Sequence, residues 1–149
     1  MSWKTFLNKL LCRPCVFCEI VQGNTLDRVI FQDKDMLAFY DIQPAAETHI
    51  LIIPVAHIES VKTIQAPDYD LLLKMKAKAF DLLKEHGHQP ENCRLGFHIP
   101  PFNTVDHLHL HVLGGEFKTA LKSAKYETGK KWYMDLSQLL SSLEQKMRP

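Results

Sequence analysis

Three histidines occupy alternate positions in the segment His107-Leu-His109-Leu-His111, which continues with Val112 and Leu113. A β-strand directs alternate side chains to the same face, so this spacing predicts a row of imidazoles opposite an apolar face. Three convergent imidazoles can supply a nucleophile, proton donors and acceptors, or metal ligands. We favour catalysis over two alternatives, a solvated strand face that is rich in histidine and a pure metal site.

The cysteines are few and clustered. Cys12, Cys15 and Cys18 are spaced as successive C-x-x-C pairs, whereas Cys93 stands apart. This pattern favours metal ligands or reduced thiols over a disulfide framework. The Cys15 and Cys18 pair has the spacing of a structural tetrahedral zinc site, in which Cys12 could compete as a ligand. The alternative is two reduced cysteines packed under a strand.

The composition is that of one globular domain. The chain has 149 residues, 46% of them apolar, with only 6 glycines and 8 prolines, which is sufficient for a sizeable core. A formal net charge of +1 gives no general attraction for nucleic acid. No apolar stretch approaches the length of a membrane span. We therefore expect neither nucleic acid nor a membrane as a partner, and we expect the protein in the cytoplasm with access to the nucleus.

Hydrophobic periodicity predicts an α+β domain built on an antiparallel sheet of about five strands. Residues 28–32 and 36–40 flank a turn and predict a hairpin. Residues 49–54 are mostly apolar, as in a central strand buried on both faces. Residues 93–98 predict a further strand, and the histidine strand is expected to end at Gly114-Gly115.

One long central helix and one C-terminal helix complete the predicted domain. Residues 67–86 carry a proline in the first turn, an apolar stripe and a stop signal at Gly87. Residues 132–147 carry a second apolar stripe. We expect residues 1–14 to form an extension with a short amphipathic segment, residues 15–115 to form the domain, and residues 116–149 to form an extension whose helix packs on it.

Four motifs in order resemble the histidine triad superfamily. They are Cys15-Val-Phe-Cys18, Phe39-Tyr-Asp-Ile-Gln-Pro44, Thr48-His-Ile-Leu-Ile-Ile-Pro-x-x-His57, and the segment from His107 to Leu113, which matches the signature His-φ-His-φ-His-φ-φ. The resemblance covers about residues 15–115 and is most similar to the nucleotide-binding branch of purine nucleoside phosphoramidases. It implies the histidine triad fold, a homodimer with a continuous sheet, no organic cofactor, and hydrolysis of P–N bonds in AMP-type phosphoramidates.

The chemistry of phosphoryl transfer gives the histidines distinct roles. A negatively charged phosphorus centre needs a neutral nucleophile and nearby cationic or N–H donors, and imidazole provides both. His109 has a histidine on either side of it on the same strand face and is therefore best placed to attack. Its other ring nitrogen must be held by a hydrogen bond, so that one tautomer faces the phosphorus. His111 can hold the phosphate or the leaving group. The resemblance implies the same roles, a nucleotidyl-histidine intermediate, and His49 as a neighbour of the nucleophile.

The resemblance also implies the nucleotide contacts. Asp41 and Ile42 match the ribose and base contacts of the family, and an aspartate accepts two ribose hydroxyls well. Phe17, Ile20 and Phe39 match apolar residues of the base pocket. Each has a plainer alternative, because Asp41 can simply form the turn before a proline-containing loop and the apolar residues can be ordinary core.

The loop before the histidines departs from the family pattern. Many relatives of the nucleotide-binding branch have a Gly-rich loop with an asparagine and a serine, whereas this chain has His98-Ile-Pro-Pro-Phe-Asn103-Thr104. Proline has no N–H, so the phosphate contacts of this loop would fall to Asn103 or His98. Thr104 takes the place of the serine, since its hydroxyl keeps a donor and an acceptor.

Zinc is the expected metal. Some superfamily members complete the C-x-x-C site with the histidine that follows the proline and with the first histidine of the triad, which here are His57 and His107. Two thiolates and two imidazoles make a closed site, so this zinc would be structural, with Cys15 and Cys18 as the thiolates.

Other functions stay open. Within the superfamily, the alternatives are a dinucleoside polyphosphate hydrolase and an aprataxin-like deadenylase. The chain has no Cys or His after His111 for the zinc finger of the aprataxin branch, which argues against the second. A zinc- or nucleotide-binding interaction protein with little turnover is the alternative of another class.

Overall fold

The computed structural model describes residues 15–23 and 28–149. The amphipathic segment predicted within residues 1–14, with Cys12, lies outside the described residues. In the described part of the chain, no helix is both long enough and apolar enough to cross a membrane.

One antiparallel sheet of six strands organises the described residues, in the order β1-β2-β3-β5-β4-β6. This confirms the predicted α+β class, with six strands where about five were expected. The strands are β1 (Val29–Gln32), β2 (Met36–Tyr40), β3 (Ala46–Pro54), β4 (Cys93–His98), β5 (Leu110–Phe117) and β6 (Tyr133–Asp135).

Four α-helices accompany the sheet in the same residues: α1 (Val16–Val21), α2 (Tyr69–Glu85), α3 (Ala120–Lys125) and α4 (Leu136–Met147). The long central helix and the C-terminal helix are confirmed. The apolar stripe of α2 and the four buried leucines of α4 pack together in the main core. Since α4 contributes to this core, the C-terminal segment packs on the sheet.

The sixth strand arises where a helix was predicted. The C-terminal helix begins at Leu136 rather than near Trp132, because Asp135 caps its N-terminus by accepting from the Ser137 N–H at 2.8 Å. Residues 133–135, which end at this cap, pair with β4, from Gly96 opposite Asp135 to His98 opposite Tyr133. The side-chain cap therefore separates strand from helix within one apolar stretch.

The histidine strand is displaced along the chain from its predicted position. Only His111 lies in β5, which begins at Leu110 and runs past the two glycines to Phe117. The backbone N–H of Leu108 donates to the Ile58 carbonyl in the loop after β3, and residues 107–109 lie outside the β5 ladder. A φ of +79° at Gly115, which glycine adopts without strain, lets the strand continue.

Side-chain alternation through this segment is as predicted. The apolar residues Leu108, Leu110 and Val112 lie in the main core. The three imidazoles lie on the other face, where all three are buried. The sheet therefore separates a hydrophobic core from a histidine-lined site.

Candidate active site

Two neighbouring strands bring four histidines to one face of the sheet. Leu51 pairs directly with His111, and His49 pairs with Leu113. Directly paired residues share a face, so His49 of β3 lies on the same face as the three histidines of the HxHxH segment. The ring centroids of His49 and His111 are 5.2 Å apart, and those of His109 and His111 are 5.0 Å apart.

A backbone N–H determines the tautomers of His49 and His111. The Ala45 N–H donates to Nδ1 of His49 at 3.0 Å, so neutral His49 carries its proton on Nε2. That Nε2–H donates to Nδ1 of His111 at 2.9 Å. His111 then carries its proton on Nε2, which is buried and has no partner among the described residues. The network therefore ends in an N–H donor available to a ligand.

His109 has the opposite tautomer. Its Nδ1 lies 2.7 Å from the carbonyl oxygen of His107, which can only accept, so Nδ1 carries the proton. Nε2 of neutral His109 consequently carries the lone pair. This is the anchored ring nitrogen that the sequence argument required of a nucleophile.

Burial keeps these imidazoles neutral. It lowers the pKa of His111 well below its usual value and also lowers that of His109. The pKa of His49 falls to about 4, because burial outweighs the attraction of the nearby Asp41 carboxylate. At neutral pH His109 therefore presents a lone pair on Nε2, and His111 presents an N–H donor.

A cavity of about 860 Å³ opens onto this face. His109 and His111 line it, together with the residues predicted for base and ribose contacts: Phe17, Ile20, Phe39, Asp41 and Ile42. The size is typical of a small-molecule site. The structure thus brings the predicted nucleotide-binding residues and the two histidines to one cavity.

Aromatic rings flank the histidine row on two sides. Phe17 of α1 lies 5.0 Å from His109 and 5.6 Å from Phe39, between ring centroids. Tyr126, just after α3, lies 5.0 Å from His111. A small core cluster contains Phe17, Ile20 and Phe39. These three residues are therefore both part of a hydrophobic core and part of the cavity wall, so both interpretations of them hold.

Asp41 combines the two roles considered for it. Its Oδ1 accepts from the Gln43 N–H at 2.8 Å, which is the turn predicted as the alternative. Its Oδ2 lies 3.3 Å from Nε2 of His49. The carboxylate also lines the cavity, so it is available to a ligand while forming the turn.

The loop after β4 places its two polar residues differently. Thr104 is exposed and lines the cavity. The amide nitrogen of Asn103 donates to the Asp106 carboxylate at 3.0 Å and to the Val105 carbonyl at 3.2 Å. Asn103 does not line the cavity, and its side-chain N–H groups are used in hydrogen bonds within the loop itself.

Several cavity residues were missed by sequence reasoning because they belong to the segment assigned to the C-terminal extension. They are Leu121, Lys122, Ala124, Lys125, Tyr126 and Trp132. Tyr126 stands in a lysine-rich stretch with no motif to mark it. His98, considered for phosphate contact, lines the cavity as well, with its ring 4.8 Å from that of His111.

Cys15, Cys18, His57 and His107 come together beside the histidine row. One ligand atom from each lies within 4.8 Å of all the others. Nδ1 of His107 is 3.4 Å from the Cys15 sulfur, 3.3 Å from the Cys18 sulfur and 3.3 Å from Nδ1 of His57. Tetrahedral zinc with its usual bond lengths would separate such atoms by about 3.3 to 3.8 Å, so the spacing fits.

Donor chemistry agrees with this spacing. Nε2 of His107 lies 2.9 Å from the Pro54 carbonyl oxygen and therefore carries the proton. Its Nδ1 then offers a lone pair to a metal. Metal binding by Cys18 requires its reduced thiolate.

Comparison with known proteins gives consistent relatives. A family model described as "Scavenger mRNA decapping enzyme C-term binding" matches residues 14–127. The bifunctional adenosine 5'-phosphosulfate phosphorylase/adenylylsulfatase HINT4 of Arabidopsis thaliana is 42% identical over 118 residues, 78% of this chain and 80% of that protein. The adenosine 5'-monophosphoramidase HINT3 of Danio rerio is 34% identical over 131 residues, 87% of this chain and 81% of that protein.

Solved structures agree with the sequence relatives. The HIT family hydrolase from Legionella pneumophila Philadelphia 1 superposes with a TM-score of 0.66 at 40% identity. The match covers 71% of this chain and 96% of the bacterial one. The sheet and the histidine face therefore belong to a fold that is known from experiment.

The buried neutral histidines should make stability depend on pH. Burial lowers the pKa of His49 from 6.5 to about 4. Between these values the unfolded chain binds more protons, so the free energy of unfolding falls as the pH decreases from about 6.5 toward about 4. For His49 alone we expect a loss of about 1 to 2 kcal/mol between about pH 7 and about pH 5, measured by urea denaturation.

His49→Gln is the matched variant for this measurement, because glutamine keeps one acceptor and one donor but does not titrate. We expect its unfolding free energy to vary less with pH than that of the wild type. An equal dependence in both proteins would show that His49 is not a source of the effect.

Proposed function

The chain belongs to the histidine triad family of nucleotide hydrolases, and from this premise we propose that it cleaves P–N bonds of AMP-type phosphoramidates through a nucleotidyl-histidine intermediate. The observation that carries the proposal is the pair of opposite tautomers at His109 and His111. One histidine presents a lone pair and its neighbour presents an N–H donor, both beside one cavity. An attacking group and an electrophilic donor side by side are what phosphoryl transfer needs.

In the first step, Nε2 of His109 attacks the α-phosphorus. A new N–P bond forms and the bond from phosphorus to the leaving nitrogen breaks, with the electron pair departing on the amine, which takes up a proton from solvent. The hydrogen bond from Nδ1 of His109 to the His107 carbonyl stabilises the positive charge that develops on the ring. The Nε2–H of His111 donates to the phosphate or to the leaving group.

In the second step, water attacks the same phosphorus from the side of the departed amine. The N–P bond to His109 breaks, and its electron pair returns to Nε2. AMP is released together with the proton of the attacking water. Two successive in-line displacements give overall retention at phosphorus.

The nucleoside occupies the Phe17 side of the cavity. Phe17 and Phe39 provide aromatic surface and Ile20 aliphatic surface for a base. Asp41 lies where its carboxylate can accept the ribose hydroxyls, and Ile42, which is 73% exposed, supplies apolar contact at the rim. The exposed Thr104 hydroxyl serves the phosphate.

The printed names of the relatives define the competing substrates. The Danio rerio relative is named a monophosphoramidase, and the Arabidopsis thaliana relative is named for adenosine 5'-phosphosulfate chemistry. A panel of AMP phosphoramidate, adenosine 5'-phosphosulfate, dinucleoside polyphosphate and adenylated DNA ends separates these chemistries from one another. No turnover of any of them would favour the binding-protein alternative.

The metal part of the proposal is a structural zinc held by Cys15, Cys18, His57 and His107. When bound, zinc would cross-link α1, the loop after β3 and the start of the HxHxH segment. His107 would thus be committed to structure, while His109, two residues later, stays free for chemistry. The Cys15 Sγ caps α1 by accepting from the Cys18 N–H at 3.4 Å, which holds the two thiols on one turn.

The homodimer inferred from the family resemblance stays a prediction. The outer edge of β4 is paired with β6 over residues 96–98. A continuous sheet between two copies would therefore form beside this short strand or through another edge. Sedimentation equilibrium measures the assembly directly, and a monomer at working concentrations would contradict the prediction.

Replacing the nucleophile should abolish turnover. We expect His109→Ala to lower kcat for an AMP phosphoramidate by about a thousandfold or more, because no other lone pair is placed at the phosphorus. The matched control is His86→Ala, since His86 lies outside the cavity, where it contacts Tyr40. Intact mass spectrometry of the wild type under a non-acidic quench should show one added AMP moiety, which the His109→Ala protein lacks. Wild-type turnover by His109→Ala would contradict the proposal.

Removing zinc should destabilise the fold. With a reductant present, we expect the protein to hold about one zinc per chain by elemental analysis, and a chelator to lower Tm by about 5 °C or more. Cys15→Ala should lose the zinc, whereas Cys93→Ala should keep it, because Cys93 lies on a different strand away from the four-residue group. Equal zinc content in both variants would contradict the assigned site.

A further inference from the structure

The two ends of the cavity differ in chemistry. At one end Phe17 packs against His109, with an apolar surface behind it. At the other end Tyr126 packs against His111 and His98, and the neighbouring helix α3 carries two lysines, Lys122 and Lys125, that also line the cavity. The histidine row lies between an apolar end and a cationic end.

At the second end, hydrogen bonds hold the side chain of Lys122 and the backbone of the exposed residue Lys125. Nζ of Lys122, a half-buried residue, donates to the Pro44 carbonyl at 3.2 Å. The backbone carbonyl of Lys125 accepts from Nε2 of His98 at 2.9 Å, which ties the last residue of α3 to the end of β4. Arg94 adds a hydrogen bond to the Ser123 carbonyl at 3.0 Å. The helix that carries the two charges is therefore anchored to the sheet and to the loop after β2.

Neither ammonium group has an ion-pair partner among the described residues. The one carboxylate that lines the cavity, Asp41, accepts from the Gln43 N–H of its own turn and lies 3.3 Å from Nε2 of neutral His49. Glu127, close by in sequence, lies 3.9 Å from Lys130 instead. The two positive charges of the cationic end are therefore not paired with a carboxylate within the described part of the chain.

The charges of both lysines reach the histidines. The positive charge of Lys122 contributes to the lowering of the pKa of His49, and that of Lys125 to the lowering for His98 and His111, although burial is the larger cause in each case. A leaving group on the His111 side of the phosphorus would be exposed to the positive charge of the same two lysines.

We propose that Lys122 and Lys125 form a leaving-group subsite that selects adenylates whose leaving group is an oxyanion, such as sulfate or phosphate. The proposal rests on the proposed function, since it concerns the group displaced by His109. When His109 attacks such a mixed anhydride, an N–P bond forms and the P–O bond to the leaving group breaks. The oxyanion departs with the electron pair and needs no proton, and the two ammonium groups stabilise its added negative charge.

The charge of the leaving group is what this subsite discriminates. An amine leaving group gains a proton and is neutral or cationic, so nearby ammonium groups give it no stabilisation. A departing sulfate or phosphate gains negative charge at the same place. The subsite therefore favours the mixed anhydride over the phosphoramidate, while the nucleoside end treats both alike.

The test is a ratio of specificity constants. We would measure kcat/KM for adenosine 5'-phosphosulfate and for adenosine 5'-phosphoramidate, and divide the first by the second. Lys125→Met should lower this ratio about tenfold, and Lys122→Met/Lys125→Met should lower it further. Lys125→Arg should restore it. Lys118→Met is the matched control, because Lys118 is exposed in the same segment and lies outside the cavity.

Lys125→Met is the decisive variant because its Nζ has no hydrogen-bond partner within the described residues, whereas losing Lys122 also removes the bond to Pro44. An unchanged ratio in Lys125→Met and in the double variant would overturn the proposal. So would an equal fall in both specificity constants, which would indicate a general role of the lysines in folding or nucleotide binding.

A binding measurement separates this proposal from the proposed function. The β-phosphate of ADP would occupy the leaving-group position, so calorimetry on the wild type should show tighter binding of ADP than of AMP. Lys125→Met should reduce that difference, and Lys118→Met should not. If the wild type hydrolyses neither substrate, the proposed function fails while this difference still tests the subsite. Equal binding of ADP and AMP by the wild type would overturn the subsite.

Discussion

Burial of imidazoles without charge is the constraint on which the site depends. A buried imidazolium would be costly, so each ring is neutral and its two nitrogens are chemically different. Backbone groups then decide which nitrogen carries the proton. The Ala45 N–H fixes the tautomer of His49 and, through His49, that of His111. The His107 carbonyl fixes the tautomer of His109. The difference between the lone pair on His109 and the N–H donor on His111 follows from these few bonds.

The sheet makes this arrangement possible because it is apolar on its other face. Leu108, Leu110 and Val112 pack against α2 and α4, which holds the intervening histidines in register. His49 reaches the same face only because β3 pairs with β5 in the observed register. A slip of one residue would send His49 to the opposite face and leave Nδ1 of His111 without its donor.

The segment after β5 completes the cavity. Helix α3 and Tyr126 close the side of the histidine row that faces away from Phe17. Arg94 and Trp132 hold this segment through hydrogen bonds to the carbonyls of Ser123, Tyr126 and Ala124. The part of the chain that resembles the family motifs thus provides the histidine row, while the later part shapes the space around it.

The sequence by itself determined the fold class, the histidine face and the C-x-x-C spacing of Cys15 and Cys18, whereas His57 and His107 joined that pair only through the family resemblance. Local periodicity and short ordered motifs carry that information, because alternation is a property of neighbouring residues. The family resemblance also implied which side chains line the cavity on the Phe17 side.

Only the tertiary structure decided the rest, because it depends on groups that are distant in the chain. The tautomer of His109 follows from a carbonyl, and that of His111 from an N–H 66 residues earlier that acts through His49. The cap at Asp135 turned residues 133–135 from predicted helix into a sixth strand. Long-range packing brings Tyr126, Lys122 and Lys125 to the cavity, and no periodicity in the sequence predicts it. Asn103 instead hydrogen-bonds within its own loop, which composition cannot show.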